Sequence, residues 1–374
     1  MEVGLKDVAE ALEGVLLTEP KRSLPQLNMV RDIEVSGESV KLSLALTVLS
    51  AAERERVQER VRAAVEALPG VKEVAIDLVE LSPQELNEFG RVVAVMSGKG
   101  GVGKSTVAVN LAAALSQTGT QVGILDLDIY GPSLPLILGI NDRPFLNEDQ
   151  KIMPLEAHGM RVMSFGLISG DQTPVIWRGP LVAKMTQQFF KDVAWGELDV
   201  LILDLPPGTG DVQLTLVQQV ALTGAVIVTT PQELALQDVR KGANMFSAVN
   251  TPLLGVIENM SALQLRGIVK DAQGQPVPNA RMEFEGLGEV STVSAGDEGA
   301  FQVDVPVFRS GGGSAESKRL QVPLLGQVPL VPDLVVASDN GVPFVLEYPE
   351  HPVTAEFRRI AASLLDRAAT ASTS

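Results

Sequence analysis

Residues 91–106, RVVAVMSGKGGVGKST, constrain this chain more than any other stretch. Val92, Val93, Ala94 and Val95 are an unbroken apolar run, which predicts a short strand buried on both faces. Gly98, Gly100, Gly101 and Gly103 then crowd into a turn that ends on Lys104 and Ser105, with a helix expected as far as Ser116. The spacing G-x-x-x-x-G-K-[ST] between a strand and a helix is that of a phosphate-binding loop. Its glycines let successive backbone N–H groups curl around a polyphosphate, and the helix N-terminus adds a favourable dipole. The expected nucleotide-binding residues are therefore Gly98, Lys99, Gly100, Gly101, Val102, Gly103, Lys104, Ser105 and Thr106. Lys104 is expected on the β- and γ-phosphates and the Ser105 hydroxyl on Mg²⁺. Lys99 is a second cation in the loop, suited to the charge that spreads over a γ-phosphoryl group in a loose transition state.

Beyond Val92 apolar runs alternate with helical patterns. Strands are expected near 92–96, 121–125, 161–165, 199–203, 225–229, 254–258 and 324–328, and helices near 105–117, 180–193, 211–220, 234–249 and 353–368. This alternation predicts an α/β fold with a doubly wound, mostly parallel sheet, its ligands at the carboxyl ends of the strands. Residues 1–80 read as a separate small α+β domain. An amphipathic helix over 5–17 and a strand near 28–35 come first. Val40, Leu42, Leu44, Leu46 and Val48 then alternate as a half-buried strand, followed by a helix over 52–68 and a strand through Val74, Ile76 and Leu78. Residues 81–90 are expected as a linker, 91–370 as the nucleotide domain.

Acidic residues stand where expected strands end. Asp126 and Asp128 close one strand, an acidic pair suited to positioning water or contacting Mg²⁺. Four buried apolar residues lead into Asp204, the expected metal holder, and Pro206-Pro207-Gly208 after it has the make-up of a switch loop. Asn259, in Glu258-Asn259-Met260-Ser261, is the candidate for reading adenine, because a carboxamide donates and accepts at once. Residues 329–333 are expected to close over the same base.

GKGGVGKST resembles the signature of the deviant P-loop ATPases, the group of MinD, ParA and the nitrogenase iron protein. Together with LDLDIYGPSLP, WRGP, LILDLPPGTGD, TPQELALQDVRKG and GVIENMS it resembles the Mrp family of ATP-binding iron–sulfur cluster carriers. That resemblance implies a Mg-dependent ATPase, catalysis by Lys99, Lys104 and Asp128, Mg²⁺ on Ser105 and Asp204, and a homodimer in which Lys99 reaches the partner's nucleotide. It also implies transfer of a cluster to apo iron–sulfur proteins. The order of elements in 1–80 and the phrase LPGVKEVAIDL are similar to the small domain of iron–sulfur assembly factors, although the acidic turn appears only as Thr18-Glu19-Pro20.

One implied feature is missing. The family usually follows ENMS with C-x-x-C, through which two chains hold a [4Fe–4S] cluster, whereas this chain has no cysteine anywhere. Residues 262–306 stand there instead, with turns at Asp271-Ala272-Gln273-Gly274 and Val277-Pro278-Asn279-Ala280 between short alternating runs. This segment resembles β-sandwich repeats appended to carboxypeptidases, and a β-rich insertion over 263–306 is expected. His158 and His351, the two histidines, lie in no metal-spaced motif, so no residue is assigned to a cluster. A net charge of −16 argues against nucleic acid, and no run approaches the ~18 apolar residues of a membrane span. A cytoplasmic protein is expected. A ParA- or MinD-like positioning ATPase is the competing reading, opposed by the same acidic charge and by a C-terminus, FRRIAASLLDRAATASTS, without a strongly basic amphipathic helix.

Overall fold

A computed structural model of the chain describes residues 4–15, 23–24, 30–44, 51–78, 89–148, 150–169, 179–283, 292–308 and 311–371. The first part holds α1 (Leu5–Glu13), β1 (Val30–Ser36), β2 (Ser39–Leu44), α2 (Ala51–Glu66) and β3 (Glu73–Leu78). β1 and β2 form an antiparallel hairpin through Gly37, whose φ of +60° suits the turn, and β3 returns parallel to β2 after crossing as α2. Val8 and Leu12 of α1, Val40, Leu42 and Leu44 of β2, and Val57, Val61 and Val65 of α2 make its core. The expected first helix stops early, at Gly14. Thr18-Glu19-Pro20, Leu46, Val48 and residues 81–88 lie outside the described residues.

The second part begins with β4 (Phe89–Met96), so Phe89 and Gly90 belong to a strand and not to a linker. The cause is tertiary. Phe89 sets its ring edge-on to Phe190 and Trp195, at centroid distances of 5.9 and 6.3 Å, and a Cβ on Gly90 would lie 2.7 Å from the Asp199 carbonyl. There follow α3 (Lys104–Ser116), β5 (Val122–Asp126), α4 (Leu134–Ile137), β6 (Leu155–Ala157), β7 (Met160–Ser164), α5 (Phe165–Ser169), α6 (Gly179–Lys191), β8 (Leu198–Asp204), α7 (Asp211–Gln219), β9 (Gly224–Thr229) and α8 (Glu233–Ala248). The chain ends with β10 (Leu253–Ile268), β11 (Arg281–Glu283), β12 (Thr292–Ser294), β13 (Ala300–Val305), α9 (Gly312–Leu320), β14 (Leu324–Leu330), α10 (Pro332–Asp339), α11 (Phe344–Glu347) and α12 (Pro352–Ala371).

Nine of these strands form one sheet, ordered β13-β10-β9-β4-β8-β5-β7-β6 with β14 also on β10. From β14 through β7 the pairing is parallel. Alternation along β4 divides the core. Val93 and Val95 face α3, α11 and α12, while Val92, Ala94 and Met96 face the side covered by α6, α7 and α8. α3 is buried almost all round because it lies between the sheet and α12, which explains its lack of an apolar stripe. β4, β5 and β8 run parallel, so their carboxyl ends and the Glu258–Asn259 stretch of β10 lie at one edge, beside the point between β4 and β8 where the strand order reverses.

β10 overran its expected end at 258. After Asn259 it continues antiparallel to β13, with Leu263, Leu265 and Gly267 opposite Val305, Val303 and Phe301. The Phe301 ring covers Gly267, and Gln264 Nε2 donates to Asp304 Oδ1 at 3.0 Å on the other face. The inserted segment is therefore an arm grown from a core strand, with β11 and β12 paired beyond it.

Candidate nucleotide site

The glycine loop follows β4 and leads into α3. Gly101 and Gly103 have φ of +79° and +81°, a region costly for other residues, and Gly103 caps the helix. Gly98 is required for a different reason: a Cβ there would lie 2.5 Å from the Asp238 backbone in α8. Gly100 and Gly101 are exposed, Val102 and Lys104 are buried, and Lys99, Ser105 and Thr106 are half-buried.

Lys104 Nζ lies 2.5 Å from Asp204 Oδ1 and 3.2 Å from Ser105 Oγ, and the two charged side chains are 5% and 0% exposed. The carboxyl ends of β8 and β5 are in register, which sets Asp126 beside Asp204. Asp126 accepts from the backbone N–H of Asp128 (2.9 Å), Ser133 (3.1 Å) and Leu134 (3.2 Å) and from Ser164 Oγ (3.0 Å), so it braces the turn after β5. Burial, then the neighbouring Asp204, pushes the Asp126 carboxyl up to about 7. Burial also raises Asp204, while the Lys104 ammonium pulls it back down. Asp204 Oδ2 is buried without a hydrogen-bond partner.

That orphaned oxygen decides how well a metal fits. Mg²⁺ takes one or two protein oxygens and completes its shell with phosphate and water. Asp204 Oδ2 and the Ser105 hydroxyl are such a pair, so these residues fit magnesium. An iron–sulfur cluster does not fit. The chain has no thiolate, and among the described residues no group of three or more His, Asp or Glu is placed to hold a metal ion. His158 Nε2 sits between the Leu138 and Gly341 carbonyls at 3.2 and 3.1 Å, and His351 Nδ1 accepts from Val353 N at the start of α12.

Asp128 is nearly buried, and its Oδ1 accepts from Tyr130 N and Gly131 N, both at 3.2 Å. It borders a cavity of about 570 Å³ whose far wall is Pro206, Pro207, Gly210 and Gln213. Gln213 Nε2 donates to the Pro207 carbonyl, and Gly208 N donates to Ser97 O at 2.9 Å, tying the proline–glycine loop to the base of the glycine loop. Lys99 Nζ donates to Gln232 Oε1 at 2.9 Å within its own chain, and Ser97 Oγ fixes the Lys99 carbonyl at 2.9 Å.

Asn259 is 6% exposed, and its Nδ2 donates to Val102 O at 2.8 Å. One expectation changes. Residues 329–333 are not a free loop, because Leu330 ends β14, Val331 packs into the core and Pro332 opens α10. Two residues went unnoticed in the sequence. Gln232 holds Lys99. Glu258, fully buried, accepts from Gln327 Nε2 at 2.6 Å and from Gly313 N, joining β10 to β14 and α9. Glu258 carried a signal, a charged residue in an apolar strand, whereas Gln232 carried none.

Residues 88–275 and 278–365 match the family described as ParA: NUBPL iron-transfer P-loop NTPase, and residues 5–77 match the iron-sulfur cluster assembly protein family. The iron-sulfur cluster carrier protein of a Synechocystis strain is 40% identical over 355 residues, covering 92% of each chain. That of Deinococcus radiodurans is 40% identical over 359 residues, 95% of this chain and 93% of the relative. Among solved structures, a nucleotide-binding protein of Archaeoglobus fulgidus in complex with ADP aligns with a TM-score of 0.53 at 34% identity, over 70% of this chain and 90% of that one. The cell division ATPase MinD of Pyrococcus furiosus aligns at 0.50 and 22% identity over 73% of this chain and 98% of its own, a likeness of fold. Matched by this family over residues 88–275 and 278–365, and 40% identical to relatives along nearly their whole length, the chain belongs to the ParA-type NUBPL iron-transfer P-loop NTPases.

Proposed function

We propose that this protein binds ATP with magnesium in the loop at 98–106, hydrolyses it as a homodimer, and serves iron–sulfur cluster assembly without ligating a cluster through its own side chains. The observation that carries the reading is the buried Lys104–Asp204 pair with its orphaned Asp204 Oδ2. In the resting site Lys104 neutralises Asp204. An arriving triphosphate offers Lys104 a second anion, and the lysine's departure would leave Asp204, with the Ser105 hydroxyl, as the residues that would hold magnesium. Held there, magnesium would supply neutralisation of phosphate charge. Asp128, held by the turn beneath it, orients water at the edge of the 570 Å³ cavity. The 206–211 loop is tied to Ser97 and so feels whether the phosphate loop is filled. Lys99 completes the partner's site once it leaves Gln232. The iron–sulfur role rests on what the relatives are named, and the missing thiols separate this chain from a cluster's own ligands.

The test is ATP binding by calorimetry and turnover by phosphate release, with and without magnesium, across a range of protein concentrations. Turnover per chain is expected to rise with concentration as dimers form, and Lys104→Met is expected to weaken binding at least about a hundredfold (~3 kcal/mol) by removing a charge-assisted phosphate contact. Undiminished ATP turnover in Lys104→Met would overturn the assignment.

A further inference from the structure

Asn259 sits at the junction between the nucleotide domain and the inserted arm, and the backbone there is arranged to aim its side chain. Met260 adopts φ of +54°, rare for a residue with a side chain, and β10 bulges against β14: Asn259 pairs with Val328, and Leu263 with Leu330. The chain thus bends immediately after Asn259. Its carboxamide points into the phosphate loop, donating to the buried Val102 carbonyl at 2.8 Å and packing against Gly103 so closely that a Cβ on Gly103 would overlap it. Val102 and Gly103 immediately precede Lys104, so this contact holds the loop where its N–H groups begin to turn toward α3. A loop that holds its curve before a ligand arrives loses less conformational freedom on binding.

We infer that Asn259 is a positioning residue that clasps the Val102 carbonyl and keeps the loop in its phosphate-binding curve, whatever base the nucleotide carries. The inference rests on the reading of this loop as the nucleotide site. A carboxamide has two N–H donors and one acceptor, and the Val102 carbonyl takes one donor, so this contact acts on the polyphosphate loop and is separate from any contact with a base.

The experiment compares MgATP with magnesium tripolyphosphate, which has no base, as ligands of the full-length wild type, Asn259→Ala and the near-isosteric Asn259→Leu. Calorimetry gives Kd for both ligands, steady-state turnover gives KM and kcat, and thermal unfolding without nucleotide gives Tm. Loss of one buried hydrogen bond is expected to weaken both ligands by the same factor, about five- to tenfold, in both variants. KM for ATP should rise by that factor with kcat unchanged, because the loop holds ground and transition states alike. Weaker ATP with unchanged tripolyphosphate would make Asn259 a base reader and overturn the clasp. A lower Tm with unchanged Kd would reduce the contact to packing and overturn it too. A wild type that binds neither ligand would instead bring down the nucleotide reading itself.

Discussion

Replacing Lys104 with Met should destabilise the nucleotide-free protein as well as disable it. Asp204 is fully buried, its Oδ1 has Lys104 as partner and its Oδ2 has none, so the substitution strands a carboxylate in the core. Breaking a buried pair from one side costs about 3–5 kcal/mol, a large share of the ~5–15 kcal/mol by which a domain is stable. Asp126 tempers that cost: pushed up to about 7 by burial and then by Asp204, it can carry a proton beside the stranded charge, so the loss should be smaller at pH 6 than at pH 8. Removing both charges in Lys104→Met/Asp204→Asn should restore most of the loss, giving a coupling of roughly 2–3 kcal/mol. Urea unfolding reads this through Trp195, buried between Phe89 and the sheet, in a Trp177→Phe background. A single-variant loss under about 1 kcal/mol, or two single effects that simply add, would refute the reasoning, because the pair would then not be holding the resting site together.

Asp126 makes a second prediction. Its folded-state pKa lies above the unfolded value of 3.8, so its stabilising contribution is fully present below that value and is lost as pH rises through about 7. The urea midpoint of the nucleotide-free protein should therefore fall between pH 5 and pH 8, and Asp126→Asn should flatten that fall; an equal fall in both proteins would show that another group governs it. Gln232→Ala releases Lys99 from its contact in its own chain, so ATP turnover at low protein concentration should rise about two- to fivefold, as expected for one neutral–charged hydrogen bond partly exposed to water. Unchanged turnover would mean that Gln232 does not hold Lys99 back.

The glycine loop was legible because its chemistry is local. Positive φ, a helix N-terminus and a lysine at fixed spacing all fall within a few residues, and so do the aspartates that end β5 and β8. Partners chosen across the chain were not legible. Nothing in the sequence places Asn259 against the Val102 carbonyl, and Phe89 looked like linker because its aromatic partners come a hundred residues later. β6 escaped for a different reason: its turn uses His158 at φ +53° before Gly159 at +76°, a geometry that Asn-Gly would have announced. The length of β10 was hidden by Met260, whose backbone breaks the pattern between the end of the β9 pairing at Glu258 and the start of the β13 pairing at Leu263.

How β10 continues also bears on iron. In the residues that follow Ser261, Leu263 and Leu265 turn toward Val305 and Val303, and the opposite face is closed by the Gln264–Asp304 hydrogen bond. A two-stranded ribbon with aliphatic pairs on one side and amide, carboxylate and guanidinium groups on the other presents no soft donor, and sulfide-bridged iron selects thiolate over the hard oxygens that remain. Carboxylates could hold iron only in a group, and the described residues contain none. Anaerobic incubation with ferrous iron and sulfide, followed by desalting, should therefore leave iron far below one atom per chain while MgATP turnover persists. A cluster that survives gel filtration on the isolated protein would refute this, since its ligands would have to come from a chain that has no sulfur but methionine. Iron retained only when a thiol-bearing partner is added would place the ligands on that partner, and leave this protein with the nucleotide-driven part of the work.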